Sequence, residues 1–284
     1  MSKGLSCSKH IIVCRRRTVP WWYNSPAFDR SSVVDVASIN NTLTPPEVFS
    51  WYQSTVLKAK PDAVCGGFPR RHDDSPTIIV CSGTEPGRCL GAELRFSLGG
   101  EIHVINRPCV VTVPRGMEYG GIVTSRLERP YFMTEILPLS PYDGCSLDEL
   151  ETEPHYEQRG LLTEAAGGVF GPLFREFEDV LDAEIDLSCG PYSGGRTARL
   201  HFELISSAGR AGKPVTAQRD LCLAVLSTDC GSPDKTGAQM HCVIGGESYT
   251  GSESCMIFIP AGTSYVPPWF TELSRPLLYG EVGV

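Results

Sequence analysis

Apolar and polar residues alternate along several short stretches of the chain. At 94–98 and 240–244 every second residue is apolar, which predicts β-strands with one buried face. Continuous apolar runs at 109–113 and 256–259 predict strands that are buried on both faces. Glycine (29 residues) and proline (22 residues) are spread along the chain, so the pattern predicts a mainly β protein whose short strands are joined by turns.

The pattern occurs twice in the chain. Residues 91–136 match residues 237–282 at a constant offset of 146 positions, without a gap. Because the match includes cysteine, tyrosine, glutamate and an Arg-Pro pair as well as turn residues, it indicates an internal repeat. The matched pairs include Gly91 and Gly237, Gly100 and Gly246, Cys109 and Cys255, Pro114 and Pro260, Gly116 and Gly262, Tyr119 and Tyr265, Arg129 and Arg275, and Glu135 and Glu281.

Several short motifs recur in both copies in the same order. The first copy carries Gly83-Thr84-Glu85-Pro86, Leu90-Gly91-Ala92-Glu93, Gly99-Gly100-Glu101-Ile102-His103 and Val113-Pro114-Arg115-Gly116. The second carries Ser227-Thr228-Asp229, Gly237-Ala238-Gln239, Gly245-Gly246-Glu247 and Ile259-Pro260-Ala261-Gly262. Together these motifs resemble the cupin superfamily. The resemblance implies a bicupin, with two jelly-roll β-barrels in one chain and a pocket inside each.

Four segments are predicted along the chain: an N-terminal arm at 1–45, a first barrel at 46–140, a helical linker at 141–190 and a second barrel at 191–284. The linker begins with a capping-box pattern at Ser146-Leu147-Asp148-Glu149. Its apolar residues between 173 and 181 fall at helical spacing after Pro172, which predicts a helix there. The run Trp21-Trp22-Tyr23 is typical of an arm anchored on the barrels.

The resemblance also bears on metal binding. Cupins usually hold a metal with an H-x-H…E motif and a histidine three residues after the glycine of P-x-G. That last position is Tyr119 in the first copy and Tyr265 in the second, and the H-x-H…E positions of the first copy are Arg71, Asp73 and Thr77. The resemblance therefore implies that neither barrel keeps the usual metal site, so no metal or other cofactor is expected.

Tyr119 and Tyr265 are the first candidates for catalysis. At the former ligand position each would point into a pocket, where a phenol can donate a hydrogen bond to an oxyanion. The alternative is that each ring only fills the space of a lost histidine. His72 and Asp73 form a second candidate, as a general-base pair or as part of a turn.

Further candidates lie on the polar faces of strands. His241 is a candidate proton shuttle, and its repeat equivalent Arg95 a candidate anion anchor. His103 and its equivalent Tyr249 are candidates for substrate binding. Each of these four faces either a pocket or solvent. The same choice holds for two residues of one further strand face, His201 and Glu203.

Composition limits the partners. With a net charge of −8 and a single basic run at Arg15–Arg17, the chain lacks the basic surface that nucleic-acid binding needs. No apolar stretch is long enough to cross a membrane. The 12 cysteines form no zinc-binding pattern, and Cys109 and Cys255 are expected to pack in the core. We expect a cytoplasmic protein with a small organic substrate, and a homodimer by analogy with the superfamily.

Three functions remain open at this point. The first is a metal-independent isomerase, lyase or cyclase that acts on a small molecule, such as a tailoring enzyme of secondary metabolism. The second is a non-catalytic small-molecule binding protein. The third is a metal-dependent oxygenase or isomerase with unusual ligands, such as Tyr119 together with His72 and Asp73.

Overall fold

A computed structural model describes residues 3–4, 10–13, 33–39, 50–56, 71–72, 76–87, 89–138, 174–186 and 197–284. These residues form twenty strands and contain no helix. In chain order the strands are β1 (Lys3–Gly4), β2 (Ile11–Val13), β3 (Val33–Ile39), β4 (Ser50–Val56), β5 (Thr77–Gly83), β6 (Ala92–Leu98), β7 (Glu101–Ile105), β8 (Cys109–Val113), β9 (Tyr119–Leu127), β10 (Tyr131–Leu137), β11 (Phe174–Glu176), β12 (Val180–Asp186), β13 (Thr197–Ile205), β14 (Val215–Thr216), β15 (Leu221–Ser227), β16 (Lys235–Ile244), β17 (Glu247–Glu253), β18 (Cys255–Ile259), β19 (Ser264–Thr271) and β20 (Leu277–Gly283).

The strands form two similar pairs of sheets, one pair for each repeat. The first barrel has a six-stranded sheet, β3-β4-β10-β5-β8-β11, and a three-stranded sheet, β7-β6-β9. The second barrel has a six-stranded sheet, β12-β13-β20-β15-β18-β2, and a five-stranded sheet, β1-β17-β16-β19-β14. Each large sheet thus has the same strand order as the other, and the predicted mainly β repeat is confirmed.

The register between strands relates the two copies residue by residue. Thr77 lies opposite Val113 in the first barrel, and Leu221 lies opposite Ile259 in the second. Val113 and Ile259 keep the repeat offset of 146 residues, whereas Thr77 and Leu221 are only 144 residues apart. The second copy is therefore two residues longer between the last strand before the matched segment and the segment itself.

Three apolar clusters stabilise this arrangement. Leu94, Phe96 and Leu98 of β6 point into the first barrel and are almost fully buried, as their alternation predicts. A second cluster fills the second barrel in the same way. The third lies between the barrels, where the opposite faces of the two large sheets pack together, with Phe132 from the first and Phe202 from the second. Cys109 and Cys255 are buried in the core and form no disulfide, so the predicted core packing is confirmed.

The repeated glycines and Arg-Pro pairs have a shared structural role. Gly91 and Gly237 both have positive φ values, 78° and 73°. A Cβ atom at Gly91 would lie 3.0 Å from the Arg129 Cβ, and one at Gly237 would lie 2.5 Å from the Arg275 Nε. Both positions therefore favour glycine, because another residue would strain the backbone and would place its Cβ atom against the arginine.

The predicted helix between residues 173 and 181 is wrong in the part that the structure describes, because β11 and β12 occupy residues 174–176 and 180–186. Leu181, Ala183 and Ile185 all pack in the cluster between the barrels. A buried residue at every second position is typical of a strand and not of a helix. A few residues at helical spacing do not distinguish the two structures. The capping box at 146–149 and the aromatic run at 21–23 lie outside the described residues.

Two strands are exchanged between the barrels. β2, from the predicted N-terminal arm, pairs with β18 of the second barrel, while the next strand, β3, belongs to the first. β11 pairs with β8 of the first barrel, while the next strand, β12, belongs to the second. Each large sheet is therefore completed by a strand from outside its own run of the sequence.

Candidate functional site

Tyr119 and Tyr265 occupy equivalent positions inside the two barrels. Tyr119 is the first residue and Tyr265 the second residue of the strand after the P-x-G turn, and each packs in the apolar cluster of its barrel. Only 2% of Tyr119 and 7% of Tyr265 is exposed to solvent. The two phenols differ in what their hydroxyl groups contact.

In the first barrel the hydroxyl of Tyr119 is fully engaged by its neighbours. It donates a hydrogen bond of 2.5 Å to Glu135 Oε1 and accepts one of 3.3 Å from Thr77 Oγ1. Glu135 is itself buried. The ring of His72 lies 6.0 Å from the Tyr119 ring, and the backbone carbonyl of His72 accepts a hydrogen bond from the Gly116 amide. The structure thus brings His72 to Tyr119, while Asp73 lies outside the described residues.

In the second barrel the hydroxyl of Tyr265 has no hydrogen-bond partner among the described residues. The pKa of this phenol is raised to about 12, first by burial and then by the nearby charge of Glu281, while Arg199 partly opposes both effects. The phenol is therefore protonated at neutral pH and has a hydrogen bond to donate.

Glu281 connects Tyr265 to a second phenol and to an imidazole. Tyr279, two residues before it on β20, donates a 3.1 Å hydrogen bond to Glu281 Oε2. His201 lies opposite Glu281 on the neighbouring strand, and its ring meets the Tyr279 ring edge-on at 6.0 Å. Burial, followed by the Glu281 charge, raises the pKa of Tyr279 well above its ordinary value. Two protonated phenols therefore surround one carboxylate.

His201 and Glu203 form the outer part of the same site. His201 Nε2 lies 3.6 Å from Glu203 Oε2, and their side chains are 27% and 40% exposed. Tyr265 and Tyr279 beneath them are 7% and 8% exposed. The second barrel therefore has a buried phenolic floor and an accessible polar wall, and we call these residues with Glu281 the second-barrel site.

The remaining sequence candidates lie elsewhere. Arg95 is exposed on β6, whose alternate residues point into the first barrel, so it faces away from the barrel interior. His241 likewise lies on the outer face of β16. It stacks on Trp269 at 5.3 Å, and its two ring nitrogens contact the hydroxyls of Thr250 and Thr271. Neither residue reaches a barrel interior.

His103 and Tyr249 are buried in their barrels, two strands away from Tyr119 and Tyr265 in the respective small sheets. The ring of His103 lies 4.5 Å from that of Phe174, and burial lowers its pKa while Glu101 partly opposes this. Tyr249 donates a 2.5 Å hydrogen bond to Glu247 Oε2. Each interacts with a glutamate two residues earlier on its own strand, His103 through the charge of Glu101 and Tyr249 through the hydrogen bond to Glu247.

Two properties of the described residues bear on ligands and location. They hold no group of three or more His, Cys, Asp or Glu side chains that could bind a metal ion. Within them, no helix is long and apolar enough to cross a membrane.

Solved structures with a similar fold extend over nearly the whole chain. The vicilin from Solanum lycopersicum (tomato) aligns with a TM-score of 0.55 and 12% identity, over 97% of this chain and 85% of its own. The oxalate decarboxylase from Lactobacillus farciminis, in a formate complex, gives 0.53 and 11%, over 99% and 87%. AerE from Microcystis aeruginosa gives 0.51 and 9%, over 97% and 99%.

All three are cupin-fold proteins, and they match both barrels of this chain together. The protein has the bicupin fold. No protein-family model and no curated protein matches the sequence.

Sequence reasoning missed two residues of this bicupin's second-barrel site, Tyr279 and Glu281, and their charged neighbour Arg199. Arg199 shares a strand face with His201 and Glu203, so the same alternation indicates it. Glu281 matches Glu135 in the repeat, and both carboxylates interrupt strands that are otherwise apolar. A charged residue in an otherwise apolar strand is the sequence signal that could have identified Glu281.

Proposed function

We propose that this bicupin is an enzyme that moves a proton on a small organic molecule bound in the second barrel, using its own acid and base groups. One observation carries the proposal: Tyr265 lies close enough to Glu281 to feel its charge, and its hydroxyl has no hydrogen-bond partner among the described residues. A phenol hydroxyl that bonds to no neighbouring residue is available to donate a hydrogen bond to a ligand.

The site holds the groups that enolate chemistry needs. Glu281 Oε2 accepts the hydrogen bond from Tyr279, whereas no described residue bonds to its Oε1. That oxygen can remove a proton from a carbon next to a carbonyl group, while Tyr265 donates a hydrogen bond to the carbonyl oxygen as it becomes an enolate. Return of the proton to another carbon gives isomerisation, and loss of a leaving group gives elimination.

His201 and Glu203 suit the second proton transfer of such a reaction. They lie at the accessible side of the site, and an imidazole can donate a proton from one ring nitrogen and accept one at the other. A tailoring step of secondary metabolism remains the biological setting we propose, on the analogy of fold alone.

The first barrel does not suit this role. Its equivalent phenol, Tyr119, already donates to Glu135 and accepts from Thr77, so a ligand would have to break a buried hydrogen bond to use it. The first barrel also supports the second candidate function, a non-catalytic binding protein. In that copy the tyrosine bonds to its neighbours and serves the packing of the barrel.

Proton exchange tests the proposal without knowledge of the natural substrate. A panel of small ketones is incubated with the full chain in D₂O, and loss of the α-proton signal is followed by NMR. We expect exchange that Tyr265→Phe slows by about 10²- to 10³-fold, the usual cost of removing one oxyanion donor. Tyr131→Phe, which removes the hydroxyl of another buried tyrosine, is the matched control.

Equal exchange by the wild type and Tyr265→Phe would contradict the proposal. Carbonyl compounds that bind through Tyr265 without any exchange would instead identify a binding protein. Elemental analysis of protein purified without added metal tests the metal-dependent alternative, which predicts a stoichiometric metal.

A further inference from the structure

We infer that the ligand of the second-barrel site is a small cationic amine, whose ammonium group lies between Glu203 and Glu281 while an oxygen accepts the hydrogen bond of Tyr265. This inference names a substrate class for the proposed function and rests on it. It comes from the balance of charges around the site.

Charged side chains reach the opening of the second barrel from three strands and one loop. They comprise four carboxylates, two guanidinium groups and one imidazole. The carboxylates of β12 lie on the face opposite to Leu181 and Ala183, which pack between the barrels. The groups are Asp182 and Glu184 on β12, Arg199, His201 and Glu203 on β13, Arg219 before β15, and Glu281 on β20.

Both guanidinium groups lie beside carboxylates of the outer strand. Arg199 Nε is 3.9 Å from Asp182 Oδ1, and Arg219 Nη2 is 3.8 Å from Glu184 Oε1. Three of these four side chains are about 60% exposed. These two pairs cancel in formal charge, and water screens them strongly because they lie at the rim.

The group as a whole keeps an excess of negative charge. Its four carboxylates outnumber its two guanidinium groups by two, and only His201 can offset one of the remaining charges. The nearby phenols stay neutral. A carboxylate close to a buried surface attracts a cation more strongly than one in water, and repels an anion equally.

The floor of the site also suits an ammonium ion. Tyr265 and Tyr279 present aromatic rings within the apolar cluster of the barrel, and aromatic faces attract cations. Tyr265 is 7% exposed, and its hydroxyl bonds to no described residue, so it can donate a hydrogen bond to an acceptor on the ligand. An amine that also carries a carbonyl or hydroxyl oxygen satisfies both requirements.

Three probes of similar shape and different charge test this inference. They are 2-phenylethylamine as the cation, 2-phenylethanol as the neutral probe and phenylacetate as the anion, and binding to the full chain is measured by titration calorimetry at neutral pH and low salt. We expect the amine to bind at least about tenfold more tightly than the other two. Tightest binding by phenylacetate would overturn the inference, and loss of that binding in Arg199→Gln would identify an anion site.

Two substitutions connect the preference to the inner carboxylates. Glu281→Gln and, separately, Glu203→Gln keep the size of the side chain and should each reduce the preference for the amine by about tenfold. Glu128→Gln, on an exposed hairpin of the first barrel, is the matched control. An unchanged preference in both site variants would overturn the inference.

The result is distinguishable from failure of the proposed function. Tyr265→Phe should keep the preference for the amine, because it removes no charge, while it slows proton exchange. Exchange without an amine preference would reject the substrate class alone. A preference without exchange would reject the enzyme and leave an amine-binding protein.

Discussion

Tyr119 and Tyr265 occupy the same position in two copies of one fold, yet one hydroxyl is bonded on both sides and the other has no partner among the described residues. Two neighbouring positions account for the difference. Where the first barrel has Thr77, the second has Leu221, which cannot donate a hydrogen bond. Where the first has Met133, the second has Tyr279, which donates a hydrogen bond to Oε2 of Glu281.

This comparison shows how a repeat can separate structural and chemical roles. The buried tyrosine and glutamate are retained in both copies, so the scaffold is the same. Two side chains from other strands decide whether the pair bonds to itself or faces a ligand. The chemistry of the second barrel therefore depends on residues that would not themselves react.

The largest expected effect comes from converting the second site into the first. The double substitution Leu221→Thr and Tyr279→Met should allow Tyr265 to bond to Glu281, because it restores the neighbours of Tyr119. With its donor engaged, α-proton exchange measured by NMR should fall about 10²- to 10³-fold. Wild-type exchange in the double variant would show that these neighbours do not control the site. Leu223→Thr is the matched control, because it also introduces a hydroxyl group into the barrel interior from β15.

Removal of each hydroxyl should separate the barrels by stability. Tyr119→Phe removes a buried hydrogen bond to Glu135, so the free energy of unfolding should fall by about 1–3 kcal/mol. Tyr265→Phe removes a group that bonds to no described residue and should change it by less than about 0.5 kcal/mol. Urea denaturation of both variants measures the difference, and equal losses would contradict the comparison.

The phenol of Tyr265 should also affect alkaline stability. Its pKa is raised from 10.0 to about 12, so the folded state favours the protonated phenol. This stabilisation is fully present below pH 10 and is lost as the pH rises towards 12. Urea denaturation across this range should show a smaller decline for Tyr265→Phe than for the wild type. A steeper decline in the variant would reverse the assigned direction of the pKa shift.

The smallest effect concerns an ion pair that occurs at equivalent positions in the two barrels. Arg129 bonds to Glu85 in the first barrel and Arg275 to Asp229 in the second. Each pair should contribute about 0.2–1 kcal/mol to the free energy of unfolding. Arg275→Gln should cost more than Arg129→Gln, because its pair is 34% and 33% exposed rather than 40% and 59%. Thermal unfolding of the two variants tests the order.

The barrels were predictable from the sequence because their strands obey a simple period of two, repeated at a constant offset. The helix predicted near residue 177 failed because Phe174, Phe177 and Leu181 lie at a spacing that two short strands also allow. Tertiary pairing with β8 and β13 decided between them.

The site was only partly predictable. Tyr119 and Tyr265 follow from their place after the P-x-G turn, and His201 and Glu203 from their shared strand face. That only one phenol is open depends on contacts between strands far apart in sequence, such as Thr77 with Tyr119. Arg95 and His241 face outwards because their neighbours on β6 and β16 fill the barrels, which the alternation alone left undecided.

The exchanged strands have a consequence for synthesis. Ile11 of β2 pairs with Ile257 of β18, so β2 leaves the ribosome long before its partner strand has been made. The first barrel similarly lacks β11 until residue 176 has been made. Nascent chains thus expose open strand edges until β11 and β18 have been made, a state prone to wrong pairing with neighbouring chains. We therefore expect the yield of folded protein to depend strongly on its rate of synthesis.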